Sequence, residues 1–473
     1  MAVPGHRLDR MMNPKTVVVV GDKGPNYMWI QNNLPFKEKG GNLYSLQIDE
    51  REIEGIEKLG VTNFTSMADI PEPIDYAVVA VPRQVSPYVL KDLIDAKANG
   101  AGFFTSGFAE TGEELGIELQ DKLTEMAREA DFNLVGPNCM GLYLPKVGIR
   151  FNENAPIADD GTVGFLSQSG THGIMFSLVS GARGIHLSRC ISLGNAVVLD
   201  VSDYLEYLAE DDETEVIGMY VEGVKDGRRF FDTMKATTAK KPVVVWKGGQ
   251  TEAGARATMS HTASLAAPQA IWDGMMRQVG AITTNSLDET VDTMAVLTKS
   301  PRPRGRRMAL LAQTGGQSVS ITDAFAKQGF EVPRFTDQTY SDLGEFFNIV
   351  GGSYQNPLDM AGTIQGKAET LDRILRTVDA DPNVDGMAME LSVMFAARQW
   401  KSKPETLDET LDVLQAHMER SGKPFLAILH PAHEAEYVAQ ITPKFNERNI
   451  PVFPNFERAA AALGRVADST LEG

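Results

Sequence analysis

Short β-branched runs, each closed by a glycine or a small polar turn and followed by a longer amphipathic stretch, recur along the whole chain. Thr16–Val20 (TVVVV) ends at Gly21, and residues 76–81 (YAVVAV) and 133–136 repeat that grammar, with helix-like stretches at 87–98 and 112–130 between them. Strands that alternate with helices of this length imply a parallel sheet wrapped by helices, because parallel neighbours need crossover connections. The pattern predicts an α/β fold whose first unit, residues 15–147, is Rossmann-like. A second series of buried-strand candidates (161–166, 185–193, Val216–Val221 and 242–246) defines a unit over 148–299. Residues 299–307 (KSPRPRGRR) are rich in proline and charge, as an exposed linker would be. A third series follows over 307–470, with strands at Met308–Ala312, 386–391 and 424–429 and helices at 369–378 and Glu405–Ser421.

Composition narrows the function classes. With 473 residues and 42% hydrophobic side chains, the chain is long enough for about three domains. No signal-length apolar run opens it and no segment approaches the roughly 18 apolar residues of a membrane span, so a membrane partner is not expected. Two cysteines, Cys139 and Cys190, cannot build a disulfide framework or a thiolate zinc cage, and a reducing cytoplasm suits them. The net charge of −18 disfavours nucleic-acid binding, which rests on cationic neutralisation of phosphates. The acidic stretch 203–215 reads as a solvated helix face, and no metal site is expected.

Candidate chemistry gathers at strand ends. The turn at Gly21, which includes Lys23, can present backbone amides to an anion or serve only as a turn. It lacks GxGxxG, and GxxxxGK[ST] occurs nowhere, which counts against a dinucleotide dehydrogenase. Residues 105–108 and 136–141 (GPNCMG) also follow strands and belong at the carboxyl edge of the first sheet, where open α/β sheets bind ligands. Cys139 within that loop reads as a packed thiol. Ser169, Gly170 and Thr171 open a helix after a strand, and Gly315 and Gly316 repeat the arrangement in the third unit. Free amides and the helix dipole make each a place for phosphate, with plain N-capping as the bland alternative. Two such starts facing one phosphate would make a site. His261, in the polar stretch 258–264 (TMSHTAS), is either an exposed loop histidine or a nucleophile towards phosphorus, with Glu222 at a strand end as a partner for its ring. His430 and His433, separated by Pro431, read as a loop feature.

Taken together, GPNCMG at 136–141, LSQSGTHG at 166–173, SLGNAVVLDVSDYLEYLAED at 192–211, KPVVVWKGG at 241–249, GARATMSHTASLA at 254–266 and NPLDMAGT at 356–363 resemble the α subunits of ADP-forming acetyl-CoA synthetases and their relatives in the succinyl-CoA synthetase superfamily. The resemblance runs from about Thr16 to Arg465. It implies a CoA-binding domain followed by two flavodoxin-like ligase domains. It places coenzyme A along Gly21, Lys23, Pro82, Ser106 and Asn138, the phosphohistidine at His261 with Glu222 stabilising it, and phosphate at Ser169, Gly170, Thr171, Gly315 and Gly316. The implied activity interconverts acyl-CoA, ADP and phosphate with carboxylic acid, CoA and ATP. No segment looks like an ATP-grasp fold, so ADP or ATP with Mg2+ is expected on a β subunit, in an α2β2 assembly. Three departures from the family stand out: Ala263 and Ala267 replace glycines, and the loop after the first strand lacks the family's GAS-type start. They leave a non-catalytic CoA-binding or regulatory protein of the same fold as the alternative.

Overall fold

The computed structural model describes residues 3–262, 268–364 and 367–471, without the side chains of residue 257 and residues 259–262. Ala263 and Ala267 lie outside the described residues. By its internal contacts the chain divides into two compact units, residues 1–181 with 186–287, and residues 182–185 with 288–473.

The first unit holds two sheets. In the first, β1 (Thr16–Val20), β2 (Asn42–Leu46), β3 (Thr62–Phe64), β4 (Tyr76–Val79), β5 (Gly100–Phe103) and β6 (Asn133–Val135) lie in the order 3-2-1-4-5-6. All pairs are parallel. That is the Rossmann order, with its crevice where the order reverses, between β1 and β4. Every residue of β1 and β4 is buried, as expected for strands covered on both faces. The second sheet combines β7 (Gly141–Tyr143), β8 (Val163–Ser167), β9 (Leu187–Ser192), β10 (Val216–Val221), β11 (Val243–Lys247) and β12 (Ile282–Thr284). Its order is 12-11-10-8-9-7, with β7 antiparallel at the edge. Counted from β8, the five parallel strands follow the flavodoxin order 2-1-3-4-5.

The second unit carries β13 (Met308–Ala312), β14 (Leu358–Asp359), β15 (Gly386–Glu390), β16 (Phe425–Ile428) and β17 (Val452–Phe453), ordered 14-13-15-16-17 and parallel throughout. Its strand order is again 2-1-3-4-5. An apolar cluster that includes Leu311, Leu343, Leu375, Met387 and Leu411 fills one face.

Two expectations change. Residues 299–307 are not a free linker: Lys299 is buried at the end of the helix Leu287–Lys299 and donates to the Arg183 carbonyl at 2.7 Å, while Arg307 pairs with Asp385 at 2.7 Å. The acidic stretch 203–215 is not solvated throughout either. Asp211 is fully buried and ion-paired to Arg189 at 2.9 Å, because β9 delivers that guanidinium into the interior. Among the described residues, no helix is long and apolar enough to cross a membrane and no group of three or more His, Cys, Asp or Glu is arranged to hold a metal ion.

Candidate functional site

The carboxyl edge of the first sheet is a continuous row of contacts. Gly21, at φ +80, sits so close to the β4 end that a Cβ there would stand 2.5 Å from Val81 Cγ1, so only glycine fits. Pro82 follows Val81, whose carbonyl accepts the Thr105 hydroxyl at 2.5 Å, and Ser106 is exposed beside it. The Thr105 carbonyl in turn accepts the Asn138 N–H at 2.9 Å. Asn138 donates from its amide to Asn195 Oδ1 at 3.3 Å, and Gly194 presses so closely on the 137–138 backbone that a Cβ would come within 2.3 Å of the Pro137 carbonyl. Met140 donates its N–H to Ser192 Oγ at 3.0 Å, and its side chain packs on Gly170. Gly21, Pro82, Ser106 and Asn138 therefore share one edge, and that edge ends against the helix that starts at Gly170.

The amides of the Gly21 turn are taken up within the chain. Asp22 is buried, and its carboxylate accepts N–H bonds from Ile30 at 2.8 Å and Lys23 at 3.1 Å, so it occupies the start of the helix Met28–Glu38. Glu52 takes the Gly24 N–H at 2.9 Å. Burial pushes the Asp22 carboxyl up, against the pull of those amides. Two of the protein's own carboxylates thus hold amides of this turn, and Lys23 is exposed beside them. A groove of about 570 Å3 opens next to the turn, lined by Gly21, Ile48, Met67, Val85 and Tyr88 among others, and can hold a flat ring or an apolar chain.

On the second sheet, Ser169 is buried and caps its helix by accepting the His172 N–H at 3.4 Å, leaving the amides of Gly170 and Thr171 at the open start of Gly170–Ala182. Gln168 ties this start to Glu222: its Oε1 accepts the Glu222 and Gly223 N–H groups at 2.5 and 3.1 Å, and its Nε2 donates to the Gly223 carbonyl at 2.7 Å. The Glu222 carboxylate is buried and accepts the Tyr220 hydroxyl at 3.1 Å. Burial and that carboxylate push the Tyr220 phenol well up, so it remains a donor. Lys247 donates to the Glu222 carbonyl at 2.8 Å, its ammonium 5.4 Å from the centre of the Trp272 ring. Burial lowers its pKa, and Glu222 opposes the shift. His172, Tyr220 and Trp246 pack ring against ring at 4.3–4.7 Å beside the carboxylate.

His261 corrects the loop expectation. Its backbone lies in the last turn of the helix Glu252–Thr262, which Thr251 opens by accepting the Gly254 N–H at 3.1 Å. An Ala-, Glu- and Arg-containing segment favours helix over loop. The side chain of His261 lies outside the described structure, so no contact with Glu222 is described. Cys139 is a packed thiol, bonded to the Phe103 carbonyl at 3.5 Å and pushed up to about 12 by burial. His430 and His433 are exposed in a turn.

In the second unit, Gly315 and Gly316 are exposed at the start of the helix Gly315–Ala326, which Thr314 caps by accepting the Gln317 N–H at 3.4 Å. Buried carboxylates flank this start. Glu390 accepts the Gln313 N–H at 3.1 Å, and burial raises its pKa. A Cβ on Gly315 would stand 3.3 Å from Asp359 Oδ2. The sequence reading missed Asp22, Gln168, Lys247, Asp359 and Glu390. Each is a polar residue at a strand end, the one signal that marked them.

Compared with known proteins, the chain is 32% identical over 462 residues to the α subunit of ADP-forming acetate–CoA ligase II of Pyrococcus furiosus, covering 96% of both chains. The chain belongs to the ADP-forming acyl-CoA synthetase family. Residues 15–145 of this synthetase chain match the CoA binding domain family, and residues 160–297 match the succinyl-CoA ligase like flavodoxin domain. It is 35% identical over 381 residues to ADP-forming acetate–CoA ligase I of Archaeoglobus fulgidus, 80% of this chain but 54% of that protein. In three dimensions it resembles the dinucleotide forming acetyl-coenzyme A synthetase 1 of Ca. Korarchaeum cryptofilum, a structure in complex with phosphate and ADP, at a TM-score of 0.83 and 27% identity over 98% of this chain and 97% of that one.

Proposed function

We propose that this subunit binds coenzyme A along Gly21, Lys23, Pro82, Ser106 and Asn138, forms an acyl phosphate at the Ser169–Thr171 helix start, and carries the phosphoryl group on His261 to a nucleotide held by a β subunit. The observation that carries this reading is the contact of the Asn138–Met140 loop with Gly170: the last element of the CoA edge abuts the amides suited to phosphate. A phosphate oxygen attacks the thioester carbonyl carbon, the C–S bond breaks, and CoA leaves as the thiolate. A neutral imidazole nitrogen of His261 then attacks phosphorus, the P–O bond to the acyl group breaks, and the carboxylate leaves. The ring turns cationic as the N–P bond forms, and Glu222 offsets that charge. Helix-terminus amides stabilise the transferring group without competing as nucleophiles. Phosphohistidine finally phosphorylates ADP, with Mg2+ supplied at the partner's ATP-grasp site. Gly315 and Gly316 offer a second set of amides to phosphate. An α2β2 assembly in the cytoplasm completes the proposal.

Incubating the purified chain with 32P-labelled acetyl phosphate tests it. An acid-labile, alkali-stable label is expected, absent from His261→Asn. A folded chain that takes no label would favour a CoA-binding protein without catalysis.

A further inference from the structure

The groove of about 570 Å3 beside the Gly21 turn lies at the crevice between β1 and β4 and is large enough for a nucleoside. Gly21 and Val81 line it, so it is continuous with the strand ends of the CoA edge. Ile48, Val85 and Tyr88 stand at its rim with 74%, 41% and 68% of their surface exposed, apolar area that a flat purine would cover.

The charge of the groove narrows what can accompany that purine. Its charged lining residues are Asp92 and Asp95, both exposed on the helix Ser86–Asp95, and no lysine or arginine is among the lining. Lys91 is ion-paired to Asp95 at 2.5 Å, and Asp49 clamps the Arg51 guanidinium at 2.9 and 2.7 Å. The helix starts around the groove offer no substitute. Asp22 and Asp49 accept the Ile30 and Arg51 N–H groups at the starts of the helices Met28–Glu38 and Glu50–Lys58. At the start of Ser86–Asp95, Pro87 has no N–H, and the amides of Val85, Ser86 and Tyr88 go to the Pro82, Arg83 and Val85 carbonyls. A phosphate dianion seated here would face carboxylates without a cation to offset it. A hydroxyl donates to a carboxylate oxygen, and Asp92 and Asp95 supply that acceptor.

Coenzyme A bears a phosphate on the 3′ oxygen of its ribose, next to the purine; dephospho-coenzyme A has a hydroxyl there and is otherwise the same thiol. Resting on the CoA-binding reading of this edge, we propose that the groove takes an adenosine with a free 3′-hydroxyl, so that dephospho-coenzyme A is the thiol this chain binds best. The purine lies against Ile48, Val85 and Tyr88, and the ribose hydroxyls face Asp92.

Calorimetry on the full chain compares dephospho-coenzyme A with coenzyme A. The dephospho form should bind about tenfold more tightly at about 50 mM salt, and the gap should close to about twofold at about 500 mM, because repulsion between exposed charges is screened whereas a steric mismatch is not. Asp92→Lys, an exchange at an exposed position, should move the affinity ratio at least about tenfold towards coenzyme A. Three results overturn the 3′-hydroxyl assignment alone: coenzyme A bound as tightly as the dephospho form or better, a gap indifferent to salt, or a ratio unmoved by Asp92→Lys in a chain that keeps its melting temperature. A folded chain that binds neither thiol overturns the CoA-binding reading and the assignment with it.

Discussion

At the residue scale, Asp22 is the side chain that most alters what the fold suggests. A helix start at the Rossmann crevice attracts phosphate because its amides lack partners, but here a buried carboxylate has taken them and Glu52 has taken the amide of Gly24. A CoA diphosphate approaching this turn meets negative charge. A Coulomb penalty of ~1 kcal/mol at partly solvated separations corresponds to about fivefold in affinity. Asp22→Asn keeps a capping oxygen and removes the charge, so calorimetric CoA affinity should rise about fivefold; an unchanged Kd would mean that the diphosphate does not lie at this turn. Glu222 has the opposite sense. If it offsets charge on a reacting histidine, Glu222→Gln should slow labelling by acetyl phosphate about a hundredfold in rapid-quench kinetics with CoA affinity unaltered. The sequence marked the Gly21 loop as a departure from the family, yet could not show a carboxylate folding back onto a helix eight residues on, because that depends on backbone direction. Glu222 was legible for a simpler reason: it ends a continuous apolar strand. Gln168, which holds the Glu222 backbone beside the helix start at Gly170, follows a strand in the same way, but nothing in the sequence pairs it with Glu222.

At the scale of elements, two buried polar groups set the stability. Arg189 on β9 holds Asp211 at 2.9 Å and donates to the Met12 carbonyl at 2.8 Å and the Asn13 side chain at 3.2 Å, so one guanidinium joins the N-terminal segment to the second sheet. Its bonds to Asp211 hold that carboxyl below its ordinary range despite burial. Arg189→Met should cost about 3–5 kcal/mol in chemical denaturation, since it strands the carboxylate, and Arg189→Met with Asp211→Leu should recover much of that. His417, on the helix Glu405–Ser421, is fully buried against Phe425, and burial lowers its pKa to about 4. The neutral ring is the folded form. Its contribution is complete above the unfolded pKa near 6.5 and is lost as pH falls towards 4, because the unfolded chain binds the proton first. The melting temperature of the second unit should therefore drop across that window, a loss of roughly 2–3 kcal/mol, and His417→Leu should flatten the slope. Neither group was readable from pattern: a histidine in a charged helix and an acid in an acidic run look like surface until the packing is known.

For the whole molecule, the parallel α/β class and the places of the central strands were the most legible properties, since β1, β10 and β13 coincide with apolar runs. Among the strands that escaped notice, β2 (NLYSL) mixes polar with apolar residues, β14 and β17 have two residues each, and β7 pairs antiparallel with β9. The same whole-chain view governs nucleotide chemistry. The candidate sites lie at the carboxyl edges of the three sheets, and the Archaeoglobus fulgidus relative is nearly twice the length that this chain covers. On the proposed division, in which a β subunit holds the nucleotide, histidine phosphorylation and nucleotide phosphorylation should be separable. The purified chain with acyl phosphate should label His261 yet form no ATP from ADP and Mg2+, and adding the β subunit should discharge the label into ATP within seconds. The discharge is expected to depend on the helix that bears His261, because phosphohistidine must reach a second polypeptide. A disulfide tying the helix Glu252–Thr262 to a neighbouring helix should preserve labelling and abolish ATP formation, which reductant should restore. ATP formation by the chain alone, at a rate comparable with labelling, would overturn the division of labour between the subunits.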